Sequence, residues 1–331
     1  MKQLLKLLDY LFVLKPVLLY PVWTLFIAGY YVQAKVVVAA ENVATNGTAT
    51  DPSGPNVLLV GAAVTLLMGA IFVINQVMER NKLESRSRMV LIAPDHLTPK
   101  VAFIEAALLL AASLVIGFIS GPLIGVLLLV ILVLAGILYN FHPFSLKDRP
   151  VSAFLTTGLV SFLIFALGWL VAGAPTTQLG LFSIPYVFMI LAVYVYASIE
   201  EEKPGPGQKK STLSERAKIA LYTGLVLEIT ALVIAFVLKD EFVFYPLLFS
   251  LPFFIWAIMR LTPQDLGRAI NYPVFLLALT LSFKQGLAHS GYSFFLILLA
   301  VYFLSKLYYR LRFGINFPNL ASTTATQLDA Q

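Results

Sequence analysis

Three polar stretches interrupt an otherwise apolar chain of 331 residues, and each brings together residue types that could hold a charged ligand. The first, NQVMERNKLE at residues 75–84, sets Asn75 and Glu79 four residues apart, hence on one face of a helix. The second, LYNFHPFSLKDRP at 138–150, carries Tyr139, Lys147 and Arg149. The third, ASIEEEKPGPGQKKSTL at 197–213, runs from Glu200, Glu201 and Glu202 to a basic cluster of Lys203, Lys209 and Lys210 around a Pro-Gly-Pro-Gly turn. Hard carboxylate oxygens of this kind suit Mg²⁺, which takes one or two carboxylates and completes its shell with water and phosphate oxygens. Nearby Lys and Arg would hold the phosphate charge that the metal leaves unneutralised. The same charges also fit a plainer reading, in which they are solvated loop ends that mark one side of a membrane. Residue type and spacing leave both readings open.

The elements that must position these stretches are membrane helices. The chain is 59% hydrophobic and only 12% charged, against roughly 25% charged residues in a soluble domain. A soluble fold cannot hide that much apolar surface, and lipid offers no partner for backbone polar groups, so the spans must be α-helical. Stretches near the ~20 residues needed to cross the hydrocarbon core are expected at 17–39, 56–78, 101–119, 121–139, 151–173, 180–198, 217–238, 243–259, 270–287 and 292–309. The fold class expected is therefore all-α, a polytopic transmembrane helical bundle. Residues 1–16, with Lys2, Lys6 and Asp9 among leucines, are too charged to span and read as an interfacial amphipathic segment, not a cleaved signal peptide. Residues 17–309 form the transmembrane domain and 310–331 a cytoplasmic tail, disordered at its end.

Basic residues test this count independently, because Lys and Arg should crowd alternate loops. With the N-terminus in the cytoplasm, 20 of the 23 fall on the cytoplasmic side and only Lys35, Lys239 and Lys284 on the other. Both termini are thus expected in the cytoplasm, and the net charge of +6 reports membrane orientation, not nucleic acid. The absence of cysteine excludes disulfides, thiol catalysis and Cys-ligated metals. Glu105 and Glu228 lie within spans; snorkelling suits Glu105, while Glu228 is deep enough to serve a cavity or to make an interhelical hydrogen bond. His96, His142 and His289 lack metal-ligand spacing, and Asn46-Gly47-Thr48 is a short glycosylation pattern of little weight.

In order along the chain, these segments resemble the UbiA-type intramembrane prenyltransferases. NQVMERNKLE stands where that family has Asn-(Asp/Gln)-x-x-Asp-x-x-x-Asp, with Glu79 in the Asp position and Leu83, then Glu84, at the last acidic one. Tyr139, Pro143 and Lys147 match the family's Tyr-x-x-x-Pro-x-x-x-Lys segment. The third stretch stands at the second Asp-rich motif, with Ser198 and Glu201 at its first and fourth positions and Pro204-Gly205 where Gly-Asp is usual. KPVLLYPVWTLFIAG and AINYPVFLLALTLSF also have the family's look, so the resemblance covers roughly residues 10–288.

The resemblance implies a nine-helix core, with the span at 292–309 as a tenth, C-terminal helix. It implies an intramembrane prenyltransferase moving a prenyl group from a prenyl diphosphate to a lipophilic acceptor, an aromatic or quinone precursor among the candidates. Mg²⁺ would be held by Glu79, Glu200 and Glu201, and the diphosphate by Asn75, Arg88, Lys147 and Lys203. Lys147 and Tyr139 would stabilise the departing diphosphate, and Asn75 would bond a phosphate oxygen or a metal-bound water. The alternatives are a UbiA-like terpene cyclase, an isoprenoid binder without turnover, and a multi-span transporter. Against a transporter, the acidic clusters gather at one membrane face and no matched pair of interrupted spans marks a midplane site.

Overall fold

A computed structural model describes residues 2–44, 56–79, 97–200, 215–284, 290–314 and 317. Among these residues every regular element is helical. In chain order they are α1 (Lys2–Phe12), α2 (Leu19–Ala44), α3 (Val57–Met78), α4 (Pro99–Ser120), α5 (Pro122–Ile131), α6 (Pro150–Ala172), α7 (Gln178–Glu200), α8 (Glu215–Val237), α9 (Glu241–Arg260), α10 (Pro263–Lys284) and α11 (Ser290–Phe313). Among the described residues nine helical segments are long and apolar enough to cross a bilayer, and Pro122–Leu138 is a shorter apolar helix. Where they are described, the ten expected spans fall on helices, and the fold is the helical membrane bundle that the composition requires.

Helix boundaries follow from local chemistry. Pro122 divides the apolar run at 101–139, because it has no N–H to continue the α4 ladder and instead opens α5 at its first position. The helix α10 begins at Pro263, seven residues before the expected span, because polar groups close its first turn. Asp265 N–H donates to Thr262 Oγ1 at 3.1 Å, and the Thr262 hydroxyl donates back to the Asp265 carboxylate at 2.7 Å. Reciprocal bonding of this kind satisfies donors that the first turn would otherwise leave orphaned.

The chain divides into two compact units, Met1–Ser183 with Leu298–Gly314, and Ile184–Ile297 with Ile315–Gln331. In the first, α2 packs on α6 and α3 on α4. The α2–α6 contact is as close as backbones allow: a Cβ added to Gly168 would stand 1.8 Å from the Phe26 carbonyl oxygen, and one added to Gly29 would stand 2.0 Å from that of Phe165. Small residues at such crossings take the place of the hydrophobic drive that lipid removes. Polar side chains add bonds between helices, from Trp23 Nε1 to Thr65 Oγ1 at 2.8 Å and from Ser113 Oγ to the Ala63 carbonyl at 2.7 Å. In the second unit α9 packs on α8 and α10. Buried Tyr196 donates to the carbonyls of Leu221 at 3.1 Å and Phe254 at 3.3 Å.

Candidate active site

The second polar stretch of the sequence is placed by an irregular end to α5. From Leu132 to Leu138 the helix widens into a π-helical segment, a rare form that often marks functional sites. Asn140, 3% exposed, closes it: Nδ2 donates to the carbonyls of Ala135 at 2.8 Å and Gly136 at 3.1 Å. The chain then turns through Ser145, whose φ of 37° lies in the left-handed region that costs a non-glycine residue about 1–3 kcal/mol. A single 3₁₀ turn, Leu146–Asp148, follows, and Pro150 opens α6. Lys147 sits on that turn.

Lys147 reaches back to the last turn of α3. Its Nζ lies 3.0 Å from Glu79 Oε1, 3.2 Å from Asn75 Oδ1 and 3.5 Å from Asn140 Oδ1. An ammonium has three donors, and these three oxygens match them. Asn75 and Glu79 meet one cation because four residues make about one helical turn, and Glu79 caps α3 by donating its N–H to the Asn75 carbonyl at 2.9 Å. Their neighbour Gln76 faces elsewhere: it is 5% exposed and donates to the Val13 carbonyl at 2.6 Å and the Phe72 carbonyl at 3.2 Å. The Lys147 side chain is 12% exposed and that of Glu79 29%, so the pair is sheltered but within reach of a polar ligand.

Of the other residues singled out in the sequence, Tyr139 is half-buried at the end of the π segment, immediately before Asn140. Glu200 is the last residue of α7, and its side chain lies outside the described residues. Arg88, Glu201 and Lys203 lie outside them altogether. Glu105 is half-buried on α4, and its Oε2 has no hydrogen-bond partner among the described residues. Glu228 is fully buried on α8, accepting from Ser250 Oγ of α9 at 2.5 Å. Asn140 is the participant that sequence reasoning passed over. An amide in the last turn of a long apolar run, seven residues before Lys147, was the available signal.

Among the described residues no group of three His, Cys, Asp or Glu side chains could by itself hold a metal. The donor chemistry nonetheless fits Mg²⁺: Glu79 offers a partly exposed carboxylate and Asn75 a neutral oxygen, and Mg²⁺ needs few protein ligands when phosphate oxygens and water complete its shell. With Lys147 paired to Glu79 the cluster is close to neutral. An arriving anion could therefore take the ammonium while a cation took the carboxylate.

Comparison with known proteins places the chain in a family. The model of the UbiA prenyltransferase family matches residues 36–279. Among solved structures, a UbiA homolog from Archaeoglobus fulgidus bound to GPP and Mg²⁺ superposes with a TM-score of 0.58 at 15% identity, covering 86% of this chain and 99% of that one. The same organism's UbiA homolog bound to DMAPP and Mg²⁺ gives 0.53 at 16% identity, over 83% of this chain and 99% of that one. A digeranylgeranylglyceryl phosphate synthase gives 0.55 at 16% identity, over 83% and 96%. No curated protein sequence matches significantly. Those identities speak for the fold alone, whereas the family model covers most of the chain in sequence, so the chain belongs to the UbiA prenyltransferase family.

Proposed function

We propose that this protein is a Mg²⁺-dependent intramembrane prenyltransferase that moves a prenyl group from a prenyl diphosphate to a lipophilic acceptor. The observation that carries the proposal is the convergence of Lys147, Asn75, Glu79 and Asn140, which joins two of the three polar stretches at one end of one helical unit. Glu79 would hold the metal, with Glu200 and Glu201 from the third stretch as the remaining carboxylates. Mg²⁺ when bound would neutralise diphosphate charge and polarise the bond to be broken.

The chain's own residues do the rest. On arrival of the diphosphate, Lys147 exchanges the Glu79 carboxylate for a phosphate oxygen, assisted by Asn75, Arg88 and Lys203. As the allylic C–O bond breaks, the electron pair leaves with the diphosphate, and Lys147 and Tyr139 stabilise the charge that builds there. The carbocation left behind forms a bond to the acceptor, which releases a proton. The apolar bundle around the site keeps water from that cation. The 20-to-3 division of basic residues supports a site, and both termini, on the cytoplasmic face, in the inner membrane if the host is bacterial. The test is a pair of substitutions: Glu79→Gln and Glu201→Gln should each abolish Mg²⁺-dependent pyrophosphate release while the protein stays folded. Full activity in both would remove these carboxylates from the mechanism.

A further inference from the structure

Three contacts in series connect the C-terminal helix to the candidate site, all within the first compact unit. The series begins at Asp9 of α1, which is 1% exposed and uses both carboxylate oxygens: Tyr308 Oη donates to Oδ1 at 2.6 Å and Arg312 Nη2 to Oδ2 at 2.8 Å. Phe12, the last residue of α1, stacks on Tyr308 with ring centroids 3.9 Å apart and planes within 3°. The helix ends there, and three residues on, Lys15 lies in the left-handed region at φ 49°. The Val13 carbonyl at this break is the one that accepts from Gln76 of α3 at 2.6 Å.

An 11-residue helix is too short to hold itself in place, so α1 takes its position from what grips it. On one side that is the buried Asp9–Tyr308–Arg312 cluster, and on the other Gln76. Gln76 lies beside Asn75 and three residues from Glu79, both partners of Lys147, so any shift of Gln76 turns the same helical end. All three residues of that cluster, Asp9, Tyr308 and Arg312, fall outside residues 36–279, the part matched by the family model.

We propose that α1, clasped by α11, positions the site end of α3, with Asp9, Tyr308 and Gln76 as positioning residues for Asn75 and Glu79; as a statement about the reaction this rests on the diphosphate reading above. Because the chain has no cysteine, nitroxide labels can be introduced at Met78→Cys and Phe144→Cys without background. These sites are 43% and 52% exposed, one on the last turn of α3 and one on the Lys147 loop. The distance distribution between the labels, measured without substrate, should be narrow in the parent and broaden in Tyr308→Phe, in Gln76→Leu and in the charge-free pair Asp9→Leu with Arg312→Met. Arg312→Lys, which keeps the charge, should restore it. In the unlabelled protein the same variants should raise the Mg²⁺ half-saturation for geranyl diphosphate turnover by about 10–100-fold, the usual effect of removing a group that orients a metal ligand, while kcat holds. Unchanged distances in Tyr308→Phe and Gln76→Leu, both mild enough to fold, would overturn the proposal. If the parent binds no geranyl diphosphate, the enzymatic reading falls, and the label distances still decide whether the clasp positions α3.

Discussion

Replacing Lys147 with Met removes the ammonium and keeps most of the stem, so its consequences follow from three contacts. In the resting protein the cation holds Glu79 at 3.0 Å, Asn75 at 3.2 Å and Asn140 at 3.5 Å. Exposed ion pairs contribute about 0–1 kcal/mol, whereas removing one partner of a buried pair costs about 3–5. With Lys147 12% and Glu79 29% exposed, water can reach the orphaned carboxylate, so the expected loss of folding stability is about 1–2 kcal/mol. Turnover should suffer more. Loss of one preorganised donor at a developing anion lowers kcat by about 10²–10³-fold, or roughly 3–4 kcal/mol. The metal should respond in the opposite sense, because Glu79 no longer shares its oxygen with a competing cation. If the 1–2 kcal/mol of pairing is released to the metal, Mg²⁺ half-saturation should fall by about 5–30-fold. Pyrophosphate release titrated with Mg²⁺, alongside thermal unfolding in the same detergent, reads all three quantities. A variant that loses activity and stability together, with the Mg²⁺ requirement unchanged or raised, would refute the shared-carboxylate geometry.

Gly168→Leu should abolish folded protein, since even a Cβ would stand 1.8 Å from the Phe26 backbone carbonyl; normal thermal stability in that variant would contradict the α2–α6 crossing. Reporter fusions after residues 90, 145, 210 and 315 should all read as cytoplasmic and fusions near 48 and 289 as external, and opposite readings at 145 and 210 would separate the two halves of the proposed site.

The membrane class was legible because charge is excluded from hydrocarbon whatever the tertiary fold, and among the described residues each expected span falls on a helix. Element ends were less so. The start of α10 is made by Thr262, Pro263 and Asp265, a polar cap that a search for apolar runs passes over. At the site, the four-residue spacing of Asn75 and Glu79 was visible, because it is a property of one helix. What brings Lys147 to them was not, because it depends on a π-helical segment, a left-handed Ser145 and the buried amide of Asn140, none of which leaves a periodic mark. Asp9 is a similar case. In sequence it is a charge that keeps the first segment from spanning; in the fold its partners lie about 300 positions away, at Tyr308 and Arg312, and no local pattern announces them.

Binding and turnover of a prenyl diphosphate by the purified full-length protein in nanodiscs test the central claim most directly. A C10–C20 prenyl diphosphate should bind only when Mg²⁺ is present, and pyrophosphate should appear only when a lipophilic acceptor is added. Release without an acceptor would indicate a cyclase, and binding without release an isoprenoid binder. Binding that is indifferent to chelation of Mg²⁺, or no binding at all, would contradict the assignment of Asn75, Glu79 and Lys147 to a metal–diphosphate site.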